Sequence, residues 1–176
     1  MACRLKNIVP VCSYNVDGID EIKVLDFADF QGFDFLGGAL YDSGTVTQAY
    51  ASGNLATLPA GEGTKYTGDS KAGIYTHTLE TFIPSSTGEI LAALNLATRR
   101  RLIPFYRTRA GRWYTFGYEA GAVLTFTGQT AEVVGNLVTI TAASIYPLFE
   151  VDPAALTITE AGEYSPADYD TINDYK

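Results

Sequence analysis

The sequence predicts a mainly β fold assembled around one helix, and three observations carry that expectation. Its 176 residues are 47% hydrophobic and include twelve tyrosines, nine phenylalanines and seventeen glycines. Aromatic and β-branched runs broken by glycine are the composition of half-buried strands and their turns. From Ile74 to Val151 such runs follow one another closely, while a single stretch, about residues 86–100, carries apolar residues at helical spacing. A chain of this length forms one domain and buries a sizeable core without metals or disulfides. It divides into a β-rich domain over 1–151, with a glycine-rich loop at 37–73, and an acidic C-terminal arm or tail over 152–176.

At the N-terminus, Arg4 and Lys6 precede Ile8-Val9-Pro10-Val11-Cys12, an order that approximates a signal peptide ending at a lipidated cysteine. The apolar part falls short of the ~7–15 residues required, and Pro10 interrupts it. Cys3 and Cys12 have no CxxC spacing and read as idle or buried thiols of a protein made in a reducing cytoplasm. Residues 19–27 (IDEIKVLDF) alternate in part and read as a first strand. The acidic, aromatic stretch 28–36 either prolongs it or begins a loop. Eight glycines fall in 37–73; apart from a short strand at Thr45–Tyr50, this window reads as turns and loop. It is either a floppy insertion or an arm that orders against a neighbouring subunit.

Residues 74–83 (IYTHTLETFI) read as a strand with Tyr75, His77, Leu79, Thr81 and Ile83 on one face. Ser86 as N-cap with Glu89 three residues later reads as a capping box. Ile90, Leu91, Leu94 and Ala97 then form one apolar stripe. Arg99, Arg100 and Arg101 suit the negative end of the helix dipole, and Pro104 cannot continue a helix. Residues 101–107 and 112–118 pair as a hairpin across Thr108–Gly111. Residues 120–127 and 136–146 give two further strands, joined by a turn at 128–135. Pro147–Val151 reads as a last, edge-type segment, and Leu156 with Ile158 as a short strand beyond it.

The sequence offers little chemistry. His77 is the only histidine, which excludes a histidine-based metal cluster, and it sits mid-strand without a G-x-S-x-G elsewhere. A structural role is expected for it. Neither GxxxxGK[ST] nor GxGxxG occurs, and the Asp-rich stretch 17–34 lacks the spacing of a calcium loop. No catalytic, cofactor-binding or metal-ligating residue is therefore expected, and the chain is not expected to be an enzyme. No apolar run approaches the ~18–20 residues of a membrane span, so no membrane partner is expected.

Charge is more informative. Arg99, Arg100, Arg101, Arg107, Arg109 and Arg112 supply six of the twelve basic residues within fourteen positions. Residues 17–34 carry six acids and one lysine, and the region from Glu150 onward carries seven acids. A basic patch near Trp113 and Tyr114 suits nucleic acid, but a net charge of −8 opposes it. Opposed patches on one small protein suit head-to-tail association with identical copies. The candidate assembly interface is those six arginines with Glu150 and Asp152; the plainer alternative is a solvated hairpin.

These residues also carry a resemblance. The capped helix Ser86–Arg100, RLIPFY at 101–106, the G-R-W-Y-x-x-G-x-x-x-G run from Gly111 to Gly121, Thr127-Gly128, GNLVTIT at 135–141 and the closing Pro147-x-x-Glu150-Val151 resemble tail tube and other small virion structural proteins of tailed bacteriophages infecting gut bacteria. The similarity spans roughly residues 74–151. It implies a β-sandwich or barrel with one flanking helix and long loop and terminal arms. It further implies self-assembly into stacked, hexameric rings that form a conduit, through which viral DNA passes without specific binding. The implied partners are copies of the chain and other virion proteins, and the implied location is the virion, assembled in the host cytoplasm. The alternatives are another virion component (capsid-decorating, connector or tail-completion protein) or a carbohydrate-binding, adhesin-like β-sandwich using Trp113 and the tyrosines.

Overall fold

The computed structural model describes residues 18–38, 43–130 and 134–158. It is mainly β with one α-helix, as the sequence predicts. In chain order the elements are β1 (Ile19–Asp26), β2 (Phe30–Phe35), β3 (Thr45–Ala51), β4 (Ala56–Leu58), β5 (Lys65–Lys71), β6 (Ile74–Ile83), α1 (Gly88–Thr98), β7 (Arg101–Thr108), β8 (Trp113–Thr115), β9 (Ala122–Gln129), β10 (Gly135–Ser144) and β11 (Phe149–Val151). A 3₁₀ turn, Pro153–Leu156, follows. All eleven strands join one sheet, in the order β2-β3-β11-β8-β7-β9-β10-β6-β5, with β1 pairing β7 and β4.

The sheet divides at β7. One edge of β7 pairs along its length with β1, from Leu102 opposite Asp26 to Thr108 opposite Ile19. Its other edge is shared: Arg101–Leu102 pair with β9, and Phe105–Arg107 with β8. The β1–β7 pair is therefore a wall between two cores. Ile22, Val24, Leu102 and Tyr106 face one core, completed by Leu79, Leu124, Val138, Ile140 and the helix residue Leu94. Leu25, Ile103 and Phe105 face the other, with Phe33, Val46, Trp113 and Phe149. A strand buried on both faces must be apolar at successive positions, which is why 102–106 reads LIPFY without alternation.

The helix differs from expectation at both ends. Its N-cap is Thr87, not Ser86: the Thr87 hydroxyl accepts from the Ile90 amide at 3.4 Å. The Ser86 hydroxyl instead accepts from the Asn136 side-chain amide at 3.2 Å. Leu94 is buried and Ile90 and Ala97 pack beside it, so most of the expected stripe faces the core. The helix ends at Thr98 with Arg99 as C-cap. Arg100 and Arg101 lie beyond it because Arg101 is already held in β7 opposite Val123.

The short strand expected at Thr45–Tyr50 is β3, and the rest of 37–73, expected as turns and loop, contains two more, β4 and β5. Strand β5 (KYTGDSK) has no apolar alternation; it is a strand because its backbone pairs with β6 from Lys65–Glu80 to Lys71–Ile74. The two-residue turn between them, Ala72-Gly73, has φ of +53° and +80°, the left-handed pair of a type I′ hairpin. Strand β11 is not an edge: it lies between β8 and β3, antiparallel to the first and parallel to the second. Leu156 belongs to the 3₁₀ turn rather than a strand, because Pro153 follows an Asp152 carboxylate that accepts from the Ala154 amide at 2.9 Å. Cys3, Cys12 and the acidic arm from residue 159 lie outside the described residues.

Candidate functional site

The arginine-rich stretch was expected to meet acidic residues of another copy. The β1–β7 ladder brings it against the chain's own acidic block. Arg107 grips Asp20 with two parallel bonds, Nε to Oδ1 at 2.9 Å and Nη2 to Oδ2 at 3.1 Å, and its Nη1 lies 3.3 Å from Glu21. Arg100 pairs with Asp26 at 2.9 Å. Arg112 and Glu150, both expected at the interface, lie 3.7 Å from each other in the same chain. Asp152 is occupied as a cap. Arg99, Arg101 and Arg109 are exposed, and among the described residues no carboxylate lies within ion-pair distance of them. The interface candidates thus separate into charges balanced inside the chain and a remainder of three arginines.

Trp113 is 5% exposed. Lys23 Nζ lies 5.3 Å and the Arg107 guanidinium 5.6 Å from its ring. A tryptophan so enclosed offers no face on which a sugar ring can stack.

His77 is 2% exposed and held at both ring nitrogens. Its Nε2 lies 3.2 Å from the Tyr146 carbonyl, which only accepts, so Nε2 carries the proton. Nδ1 then accepts from the Tyr66 hydroxyl at 2.7 Å. The ring stacks on Phe116, with centroids 5.2 Å apart. Burial holds its pKa below the ordinary value, partly offset by the bond to the Tyr146 carbonyl. Burial also pushes Tyr66 up to about 12. These groups tie β5, β6 and the 145–148 connection together, a structural arrangement. Among the described residues, no group of three or more His, Cys, Asp or Glu side chains is arranged to hold a metal ion.

The remaining candidate is backbone. Strands β2 and β5 lie at opposite ends of the sheet order, each with one neighbour among the described residues. The ladder of β2 with β3 breaks register twice, between Phe30 and Gly32 and between Asp34 and Phe35. The ladder of β5 with β6 is regular over seven residues. Sequence reasoning missed β5 because Tyr66 is the one residue of it that packs on a core and the rest are small, polar or charged; the one available signal was Ala72-Gly73, a two-residue turn ending in glycine.

No protein-family model, curated protein or solved structure matches the chain.

Proposed function

We propose that this protein is a structural subunit that assembles with copies of itself, and that it serves as the major tail tube subunit of a tailed bacteriophage. The observation that carries the reading is an open sheet whose main strand order ends in two single-neighbour strands, β2 and β5, with only the three-residue β4 branching off it beside β1. Pairing the β5 edge of one copy with the β2 edge of the next is a heterologous contact, and such contacts close into rings when the rotation allows. Ring closure covers both ends of that strand order, the usual liability of an open sheet, and leaves the three-residue β4, paired only with β1, as a short edge. The likeness of residues 74–151 to virion proteins supports the same reading. A net charge of −8 suits a conduit past which DNA slides, since a basic lining would retain it. Another virion component would share these edges and differ in where its ring stands in the particle.

The test is direct. Negative-stain microscopy and sedimentation of the purified full chain at rising concentration are expected to reveal rings or tubes. Reversing Arg99, Arg101 and Arg109 to glutamate takes the net charge from −8 to −14, so it is expected to reduce assembly through repulsion between copies while leaving the thermal melt unchanged, because none of the three supports either core. A chain that stays monomeric at high concentration, and is single in its native particle, overturns the reading.

A further inference from the structure

The register of the strands exposes a second surface, independent of the sheet edges. Directly opposed residues of an antiparallel ladder project to the same side, so the outward face of β5, β6, β10 and β9 can be laid out in rows about two residues apart. The middle row is Thr67, Thr78, Thr141 and Val123. The row on one side begins with Asp69 beside Thr76, and the row on the other with Lys65, whose Nζ lies 2.8 Å from the Glu80 carboxylate beside it and whose remaining N–H donors point outward for a second carboxylate. The outermost rows hold the apolar residues of this face. One has Ile74 on β6 opposite Lys71 on β5, with the exposed Ile145 in the bend just past the end of β10, and the other runs Phe82, Leu137 and Thr127. Ile74, Ile145 and Leu137 are 53%, 55% and 37% exposed, three of the six large hydrophobic side chains most exposed on the described residues.

This pattern is complementary to itself. A two-fold axis along the middle row, in the plane of the sheet, lays each strand over its own copy and exchanges the rows on either side. Lys65 then meets Asp69 of the second copy, twice. Phe82 meets Ile74, and Leu137 meets Ile145, also twice. Threonine meets threonine on the axis, and the exposed Arg101, opposite Val123, continues the middle row at its outer end, where the long side chains of the two copies splay apart into water, an escape that a central position such as 141 does not offer. We infer that this face is an isologous contact with a second copy of the chain, in which the outer sheet faces pack together in that register. Four strands about 4.8 Å apart over roughly 34 Å give about 600 Å² per copy. That total lies at the low end of specific interfaces and gives a reversible, concentration-dependent dimer. The contact leaves the edges of β2 and β5 open, so it goes beyond the ring assembly proposed above and does not depend on it.

A zero-length carbodiimide cross-link between Lys65 and Asp69 tests the register. Within one chain these residues are four strand positions, about 13 Å, apart, so such a link, read by mass spectrometry of the full chain, joins two copies. It is expected in the wild type and lost in Thr141→Arg, which sets two arginines against each other on the axis and raises the dimer dissociation constant about 100-fold. β10 is flanked by β6 and β9, so Thr141→Arg leaves both sheet edges intact and ring assembly unaffected. Ile145→Ser, at an exposed position, provides a second variant with an unchanged fold and a weakened link. Singly, Lys65→Asp and Asp69→Lys are each expected to weaken the dimer in sedimentation, and together to restore it. Absence of the Lys65–Asp69 link in the wild type, its persistence in Thr141→Arg, or failure of the double exchange to restore the dimer overturns the inference.

Discussion

Replacing Tyr66 by Phe deletes one hydroxyl and strands a buried acceptor. His77 Nδ1 accepts from that hydroxyl at 2.7 Å, and the ring is 2% exposed. A buried group left without its partner costs about 1–3 kcal/mol, more than the hydrogen bond contributes when made. We expect Tyr66→Phe to lose about 2 kcal/mol, which for a chain of this size lowers Tm by about 4–8 °C. Replacing both partners by apolar groups removes the stranded atom, so Tyr66→Phe with His77→Leu should cost less than the two single changes added together. The pH dependence supplies an independent readout. Burial holds the folded pKa of His77 below its ordinary value of 6.5, so below that pH the unfolded chain takes a proton that the folded one refuses. Its contribution is fully present above about pH 6.5 and is lost as pH falls toward the folded pKa, with a slope of at most about 1.4 kcal/mol per unit. Tyr66, pushed up to about 12, acts at the other extreme, and its contribution is lost as pH rises from 10. Urea unfolding from pH 5.5 to 8 measures the first effect, above the range where carboxylates titrate. If His77→Leu retains the wild-type slope in that window, or Tyr66→Phe melts with the wild type, the histidine is not held as described.

Two further substitutions test the fold. Ala72 has φ of +53° at the first position of a type I′ turn, where asparagine is preferred; Ala72→Asn is expected to stabilise by about 1 kcal/mol in urea unfolding, and Ala72→Val to destabilise. Phe105, fully buried in the wall strand, should cost about 3–5 kcal/mol on replacement by Ala, whereas Leu96→Ala, 59% exposed on the helix, should stay within about 0.5 kcal/mol; equal losses at both would mean that β7 is not the shared wall.

The parts of the fold legible in the sequence were those whose residues record their own burial. Residues 74–83 alternate because β6 has one wet and one dry face, and the helix betrays itself by Ile90, Leu94 and Ala97. Strand β5 was illegible because an end strand with exposed residues takes its conformation from its neighbour, and KYTGDSK matches turn chemistry as well as it matches a strand. β11 read as an edge because Pro147 and a three-residue length are edge features; nothing local records that β3, a hundred residues earlier, lies parallel beside it. The arginine cluster was legible as a cluster and illegible as to partner, since charge complementarity acts equally within and between chains. His77 was legible as structural by elimination, but Tyr66 and Tyr146 as its partners required the register of β5 on β6 and the course of the chain after β10.

The in-chain pairing of Arg100, Arg107 and Arg112 changes what salt should do to self-assembly. Had basic and acidic blocks of different copies fixed the register, assembly would weaken as the screening length shrinks from about 10 Å at 0.1 M salt to about 3 Å at 1 M. With those arginines satisfied by Asp20, Glu21, Asp26 and Glu150 of their own chain, the long-range force between copies is dominated by the repulsion of two bodies of charge −8. Salt screens that repulsion. It barely affects backbone bonds at the sheet edges or apolar contacts such as Phe82 on Ile74. Assembly followed by light scattering is therefore expected to hold or strengthen between 0.1 and ~1 M NaCl. Dissolution of the assemblies over that range would mean that exposed charges such as Arg99, Arg101 and Arg109 hold the copies together, and that the sheet edges do not.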